Sequence, residues 1–162
     1  MKTMMSPAAG ALLMIAAAAV APAQTATQTV TFQVDAINQV SVTGTPSLTI
    51  NTAVAGSAPT QAVSSTNTWA VTTNQTGAKI TASIASDMPT GLTLQATLGA
   101  GSTGATSGGA KTLSTVTQDM VTGLTKVNAT GLTLSYTLDA TPAAGVVTSS
   151  SRVVTFTVTG GT

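Results

Sequence analysis

Apolar and polar residues alternate with period two along most of this chain, and the pattern predicts strands rather than helices. In TQTVTFQV (residues 27–34), Val30, Phe32 and Val34 share one face while Thr29, Thr31 and Gln33 share the other. INQVSV (37–42) resumes the alternation after Asp35-Ala36, which reads as a bend or bulge in a long strand or a switch between sheets. SLTI (47–50) predicts another strand, introduced by Gly44-Thr45-Pro46. Residues 51–66 alternate weakly and contain a proline, so they read as a loop with a short edge strand at most. TWAVTT (68–73) and AKITASIA (78–85) flank Asn74-Gln75-Thr76-Gly77, a spacing that predicts a hairpin.

Further on, LTLQATL (92–98) and LTLSYTL (132–138) each place leucines on a single face. TLSTV and DMVTGL lie between them, and RVVTFTV (152–158) closes the pattern. GAGSTGATSGGA (99–110) has no apolar period and reads as a flexible surface loop. TPAAGVVTSSS (141–151) reads as a second loop, with a short strand at Val146-Val147. About seven to nine strands separated by turn signals, with no helical period, predict an all-β fold. The best fit is an antiparallel two-sheet β-sandwich of immunoglobulin-like type, with a small closed barrel as the next choice. The inward faces nominate Trp69, Val71, Ile80, Leu92, Leu94, Leu132, Leu134, Tyr136 and Phe156 as core.

Two short segments recur. TGLTLQATL (90–98) returns as TGLTLSYTL (130–138), and DMPTGLT (87–93) as DMVTGLT (119–125). The offsets differ, so reuse of one turn-and-strand solution explains the likeness better than a repeat architecture does.

The N-terminus departs from this pattern. Lys2 precedes the apolar run ALLMIAAAAVA, and Ala21-Pro22-Ala23 matches a signal-peptidase site. The run is shorter than a membrane-spanning helix requires. Residues 1–23 therefore read as a cleaved export signal and residues 24–162 as a single domain, placed outside the cytoplasm at the cell surface, in the periplasm or in the medium.

Composition narrows the chemistry. Beyond residue 23, Lys79, Lys111, Lys126 and Arg152 balance Asp35, Asp87, Asp119 and Asp139, and glutamate is absent. No basic patch exists to neutralise phosphates, which argues against nucleic-acid binding, and a near-neutral surface puts little repulsion between copies. Threonine supplies about a fifth of the residues, a β-branched composition suited to half-exposed strands. There is no histidine and no cysteine. A Ser-His-Asp triad, thiol chemistry, lipidation at a cysteine and the preferred zinc ligands are thereby excluded.

The four aspartates sit mostly at strand ends, where turn-capping suits them better than paired acid–base work. Calcium at Asp87 or Asp119 lacks the acidic loop run such sites use, and Gly99, Gly101 and Gly104 lack the following helix of a phosphate cradle. No catalytic residue, cofactor or metal site is expected. Aromatic girdles for a membrane barrel are missing as well.

VTFQVDAINQVSVTG (30–44), WAVTTN (69–74), KITASIASDMPTGLTL (79–94) and SRVVTFTVTGG (151–161) together resemble a set of small secreted bacterial β-sandwich proteins of uncharacterised function. More distantly, the plan is similar to pilins and other fibre subunits. That resemblance implies a structural role and transfers no active site.

The N-terminal segment up to Val34 carries no charge, proline or bulge after Pro22, the devices that normally blunt an exposed strand. It is either the first strand of its own domain or a strand given to a neighbour. These observations lead to a non-catalytic surface or matrix protein, self-assembling in the manner of a pilus through Val30, Phe32 and Val34, with copies of itself as the expected partner. The alternative is a secreted module that holds a glycan or protein through its loops.

Overall fold

A computed structural model describes residues 22–162, and its contacts divide the chain into two units, Met1–Gln33 and Val34–Thr162. Most of the predicted export signal falls outside the described residues. Residues 22–33 contain neither strand nor helix and are exposed. The strand expected over 27–34 is thus not formed. Alternation states which face a strand would bury, but it does not supply the hydrogen-bonded neighbour that makes one.

The second unit is nearly all β. Its strands are β1 (Asn38–Thr43), β2 (Ala62–Ile84), β3 (Leu92–Leu98), β4 (Thr106–Ser107), β5 (Lys111–Thr112), β6 (Gln118–Ala140) and β7 (Val154–Thr159). Two single-turn 3-10 helices, Gly101–Thr103 and Pro142–Ala144, complete the regular structure among the described residues. All pairings are antiparallel and join one seven-stranded sheet with the path β1-β2-β6-β3-β5; β7 adds to β2 and β4 to β6.

The frame is the pair β2 and β6, each 23 residues long. Strands of this length twist and must bend to keep one face on the core. The bends are visible as switches of burial parity. In β2 the buried residues are Asn67, Trp69, Val71 and Thr73, all odd, and then the apolar Ala78, Ile80, Ala82 and Ile84, all even, with Thr81 buried beside them. The switch falls at Asn74-Gln75-Thr76-Gly77, where the register with β6 slips. This tetrapeptide is a corner within one strand, not the hairpin expected from its Asn/Gly composition.

On β6, burial steps by three from Val121 to Leu124 and from Leu124 to the half-buried Val127, then again from the half-buried Ala129 to Leu132. A residue with positive φ lies inside each step: Gly123 at 82°, Lys126 at 42° and Gly131 at 66°. Left-handed residues are the means by which a bulged strand skips a position and returns its side chains to the same face. The recurring TGLT therefore has two structural meanings. At Thr90-Gly91 it is the turn into β3, whereas around Gly123 and Gly131 it is a bulge inside β6.

One apolar cluster unites both halves of the bent pair. Trp69, Val71, Leu132, Leu134 and Tyr136 come from one half; Ala78, Ile80, Ala82, Ile84, Met120, Val121 and Leu124 come from the other. Leu94, Ala96 and Leu98 of β3 and Leu113 after β5 complete it. Leu92 and Phe156 are half-buried. The sheet also curls towards itself: the Leu113 amide donates to the Leu94 carbonyl (2.8 Å), and the next residue, Ser114, accepts from the Ile84 amide of β2 (3.0 Å).

Three other expectations are corrected. SLTI (47–50) forms no strand, although Leu48 and Ile50 are half-buried, and Val146-Val147 forms none either. Neither segment is paired in the sheet, so alternation alone leaves them extended or irregular. The segment 99–110 is folded rather than a loose loop. The Trp69 indole Nε1 donates to the Gly99 carbonyl (3.0 Å), Ser107 Oγ donates to the Leu98 carbonyl (2.6 Å), and Thr103 is buried. A buried indole needs an acceptor for its N–H, and the glycine-rich backbone supplies one.

If the bulges set the geometry, Gly131→Ala forces a side chain into left-handed backbone and lowers stability by about 1–2 kcal/mol. Lys126→Gly leaves stability near its starting value, because relief of the same strain offsets the freedom gained by the unfolded chain. Urea midpoints with unchanged m-values check both.

Candidate assembly surface

The acidic residues serve structural roles one by one. Asp119 of β6 pairs with Lys79 of β2 (2.9 Å), and both side chains are about half exposed, a setting in which an ion pair adds little. Asp87 Oδ1 accepts the Thr115 amide (2.9 Å), fixing the stretch after β5. Asp139 Oδ1 accepts from the Gln61 side-chain amide (2.6 Å). Arg152 donates to the Asp87 carbonyl through Nε and Nη2, both at 3.2 Å, which ties the entry of β7 to the 85–91 turn. Among the described residues no three His, Cys, Asp or Glu side chains gather as metal ligands would.

Edges and clefts remain as candidates. β1 and β7 lie end to end along the side of β2 opposite β6, pairing residues 68–73 and 79–84 respectively. Neither NQVSVT nor VTFTVT contains a charge or a proline. An antiparallel edge strand turns the N–H and C=O of alternate residues outward, and these two lack the usual protection. The chain enters β1 through a clamp at the β2 corner. Asn74 Oδ1 accepts the Ile37 amide (2.8 Å), its Nδ2 donates to the Asp35 carbonyl (2.8 Å), and its own amide donates to the Ile37 carbonyl (3.2 Å).

Upstream of that clamp, the residues nominated for assembly stand in solvent: Val30 is 72% exposed, Phe32 89% and Val34 77%. Leaving a phenylalanine so exposed forgoes most of the ~1.5–3 kcal/mol that burial would contribute. The nominated core residues behave oppositely. Trp69, Val71, Ile80, Leu94, Leu132, Leu134 and Tyr136 are buried, and the two half-buried ones, Leu92 and Phe156, lie near the sheet's margins.

A cleft of about 630 Å³ opens where β3 begins and β6 ends. Leu92, Leu138 and Met88 contribute apolar surface, with residues 48–53 and residues from the 141–150 segment as its sides. None of its lining residues carries a charge. It was not anticipated from sequence, although the alternation of Leu48 and Ile50 was the available signal. The chain matches no family model. Neither curated proteins nor solved structures give a match to it.

Tyr136 shows how burial alone shapes titration here. Loss of solvent around the phenol pushes its pKa up to about 12. The native state keeps this proton while an unfolded tyrosine, at ~10, loses it. Native protein thus binds more protons between these values, and stability present below pH ~10 is lost as pH rises towards 12. Tyr136→Phe should remove this part of the alkaline sensitivity. Chemical denaturation at a series of alkaline pH values, with and without the substitution, measures it.

Proposed function

We propose that this protein is an exported, non-catalytic structural subunit that assembles with copies of itself at the cell surface or in the extracellular matrix, an N-terminal strand of one copy adding to the sheet of the next. The carrying observation is the exposed trio Val30, Phe32 and Val34 on one face of an uncharged alternating segment. Strand addition gives apolar cover to the exposed face of such a segment and continues its backbone into a neighbouring sheet. The uncharged margins at β1 and β7 and the balanced charge beyond residue 23 support close approach of copies.

In this reading the two halves of the β2–β6 pair act as the layers of an immunoglobulin-like sandwich, supported by the single apolar cluster that both halves feed. The apolar run after Lys2 and the Ala21-Pro22-Ala23 pattern support export, and with it assembly outside the cytoplasm. A loop-borne glycan or protein site is the weaker reading, because the 99–110 segment it would use is engaged with Trp69, Leu98 and its own turns.

Purified after export, the chain should form concentration-dependent oligomers by light scattering and filaments or layers by electron microscopy. Phe32→Asp should weaken association on the order of a hundredfold, since burial would strand a carboxylate in apolar surroundings. A chain that stays monomeric at high concentration, with no filaments on the producing cells, overturns the proposal.

A further inference from the structure

The cleft beside β3 and β6 has the features of an unfilled strand position. Its apolar floor belongs to the same faces as the core: Leu92 continues Leu94, Ala96 and Leu98, and Leu138 continues Leu132, Leu134 and Tyr136. Yet Leu92 and Leu138 are only half-buried where those neighbours are buried. The covering elements at this end are irregular segments rather than strands. Residues 45–51 make no backbone–backbone hydrogen bond among the described residues, and neither do residues 146–150. Both are extended or irregular, both line the cleft, and Leu48, Ile50 and Val147 are among the lining residues.

A row of unpaired peptide groups beside incompletely covered apolar side chains is the complement of an alternating strand. Water satisfies such groups while the cleft is open, and a strand can replace that water without losing hydrogen bonds.

We infer that this cleft accepts residues 30–34 of a second copy, with Val30, Phe32 and Val34 set on Leu92, Leu138 and Met88 and the strand's backbone paired to the 45–51 or 146–150 segment. The inference rests on the strand-donation reading above and names its acceptor. Chemistry selects the occupant. Every residue lining the cleft is uncharged, and so is every residue from 23 to 34. A charged peptide would lose its hydration there without gaining an ionic partner. The β1 and β7 edges offer backbone groups as well, but the inward side chains of β7 (Val154, Phe156 and Val158) already pack on the core. They leave no comparable floor for three large side chains.

The absence of cysteine makes the test direct, because introduced thiols are the only ones present. One batch of the exported chain carries Val30→Cys and a second carries Val147→Cys, both at sites with substantial exposure. Mixing under mild oxidation should give a disulfide-linked heterodimer as the main product. Adding Phe32→Asp to the first batch should lower its yield about tenfold or more. Circular dichroism of each variant confirms that the fold is kept.

Parallel mixtures replace Val147→Cys by Ser41→Cys in β1 or Thr155→Cys in β7. Linkage to either of these in preference to Val147→Cys overturns the cleft assignment and leaves strand donation standing. A chain bearing both Val30→Cys and Val147→Cys that closes on itself independently of dilution makes its own arm the occupant, and overturns the assignment to a second copy. Monomeric protein with no cross-link to any position overturns both readings.

Discussion

Pairing of β2 with β6 over most of two 23-residue strands is the constraint on which the structure depends. Straight strands of that length could not keep one face on a small core. The chain answers with local slips: a corner at residues 74–77 of β2 and left-handed residues at Gly123, Lys126 and Gly131 of β6. Each slip gives up ladder regularity and regains burial. The result is a single apolar cluster fed from both halves of a continuous hydrogen-bonded pair, with no disulfide to hold it. Other strands follow from this frame, since β1 and β7 share one margin of β2 and β3 and β4 share the outer margin of β6.

The same frame explains where polar backbone is satisfied and where it is not. Near Trp69 the Gly/Ser-rich segment folds inward because a buried indole N–H requires an acceptor and the glycine backbone can come close enough. At the opposite end of β3, residues 45–51 and 146–150 receive no such anchor. Coverage of the core is therefore uneven. Leu98 and Leu134 are closed off, while Leu92 and Leu138 at the far end of the same strand pair remain half-exposed. The exposed alternating arm and the under-covered cleft share one chemistry, since neither carries a charge.

With no charge or proline in β1 or β7, the protein does little along that margin to prevent association with its own copies. In the proposed assembly that openness is useful. Orientation would then come from side-chain fit and backbone pairing, since long-range electrostatics contribute little in a chain whose cations and aspartates balance beyond residue 23.

Period-two alternation by itself determined which residues share a face within each segment that forms a strand. Trp69, Val71, Ile80, Leu94, Leu132, Leu134 and Tyr136 are buried because burial parity is a local property of a pleated strand. All-β character follows from the same signal and from the threonine content. What alternation does not contain is the identity of the neighbour. Asn74-Gln75-Thr76-Gly77 suits a hairpin turn and a bulged corner equally well, since both accept left-handed glycine, and only the length of β6 opposite it decides for the corner. SLTI and Val146-Val147 alternate or are β-branched yet find no ladder, while the unpatterned 99–110 segment does find one. Strand formation needs a partner distant in sequence. That partner, and the cleft left where none arrives, exist only once the tertiary structure has brought β2 and β6 together.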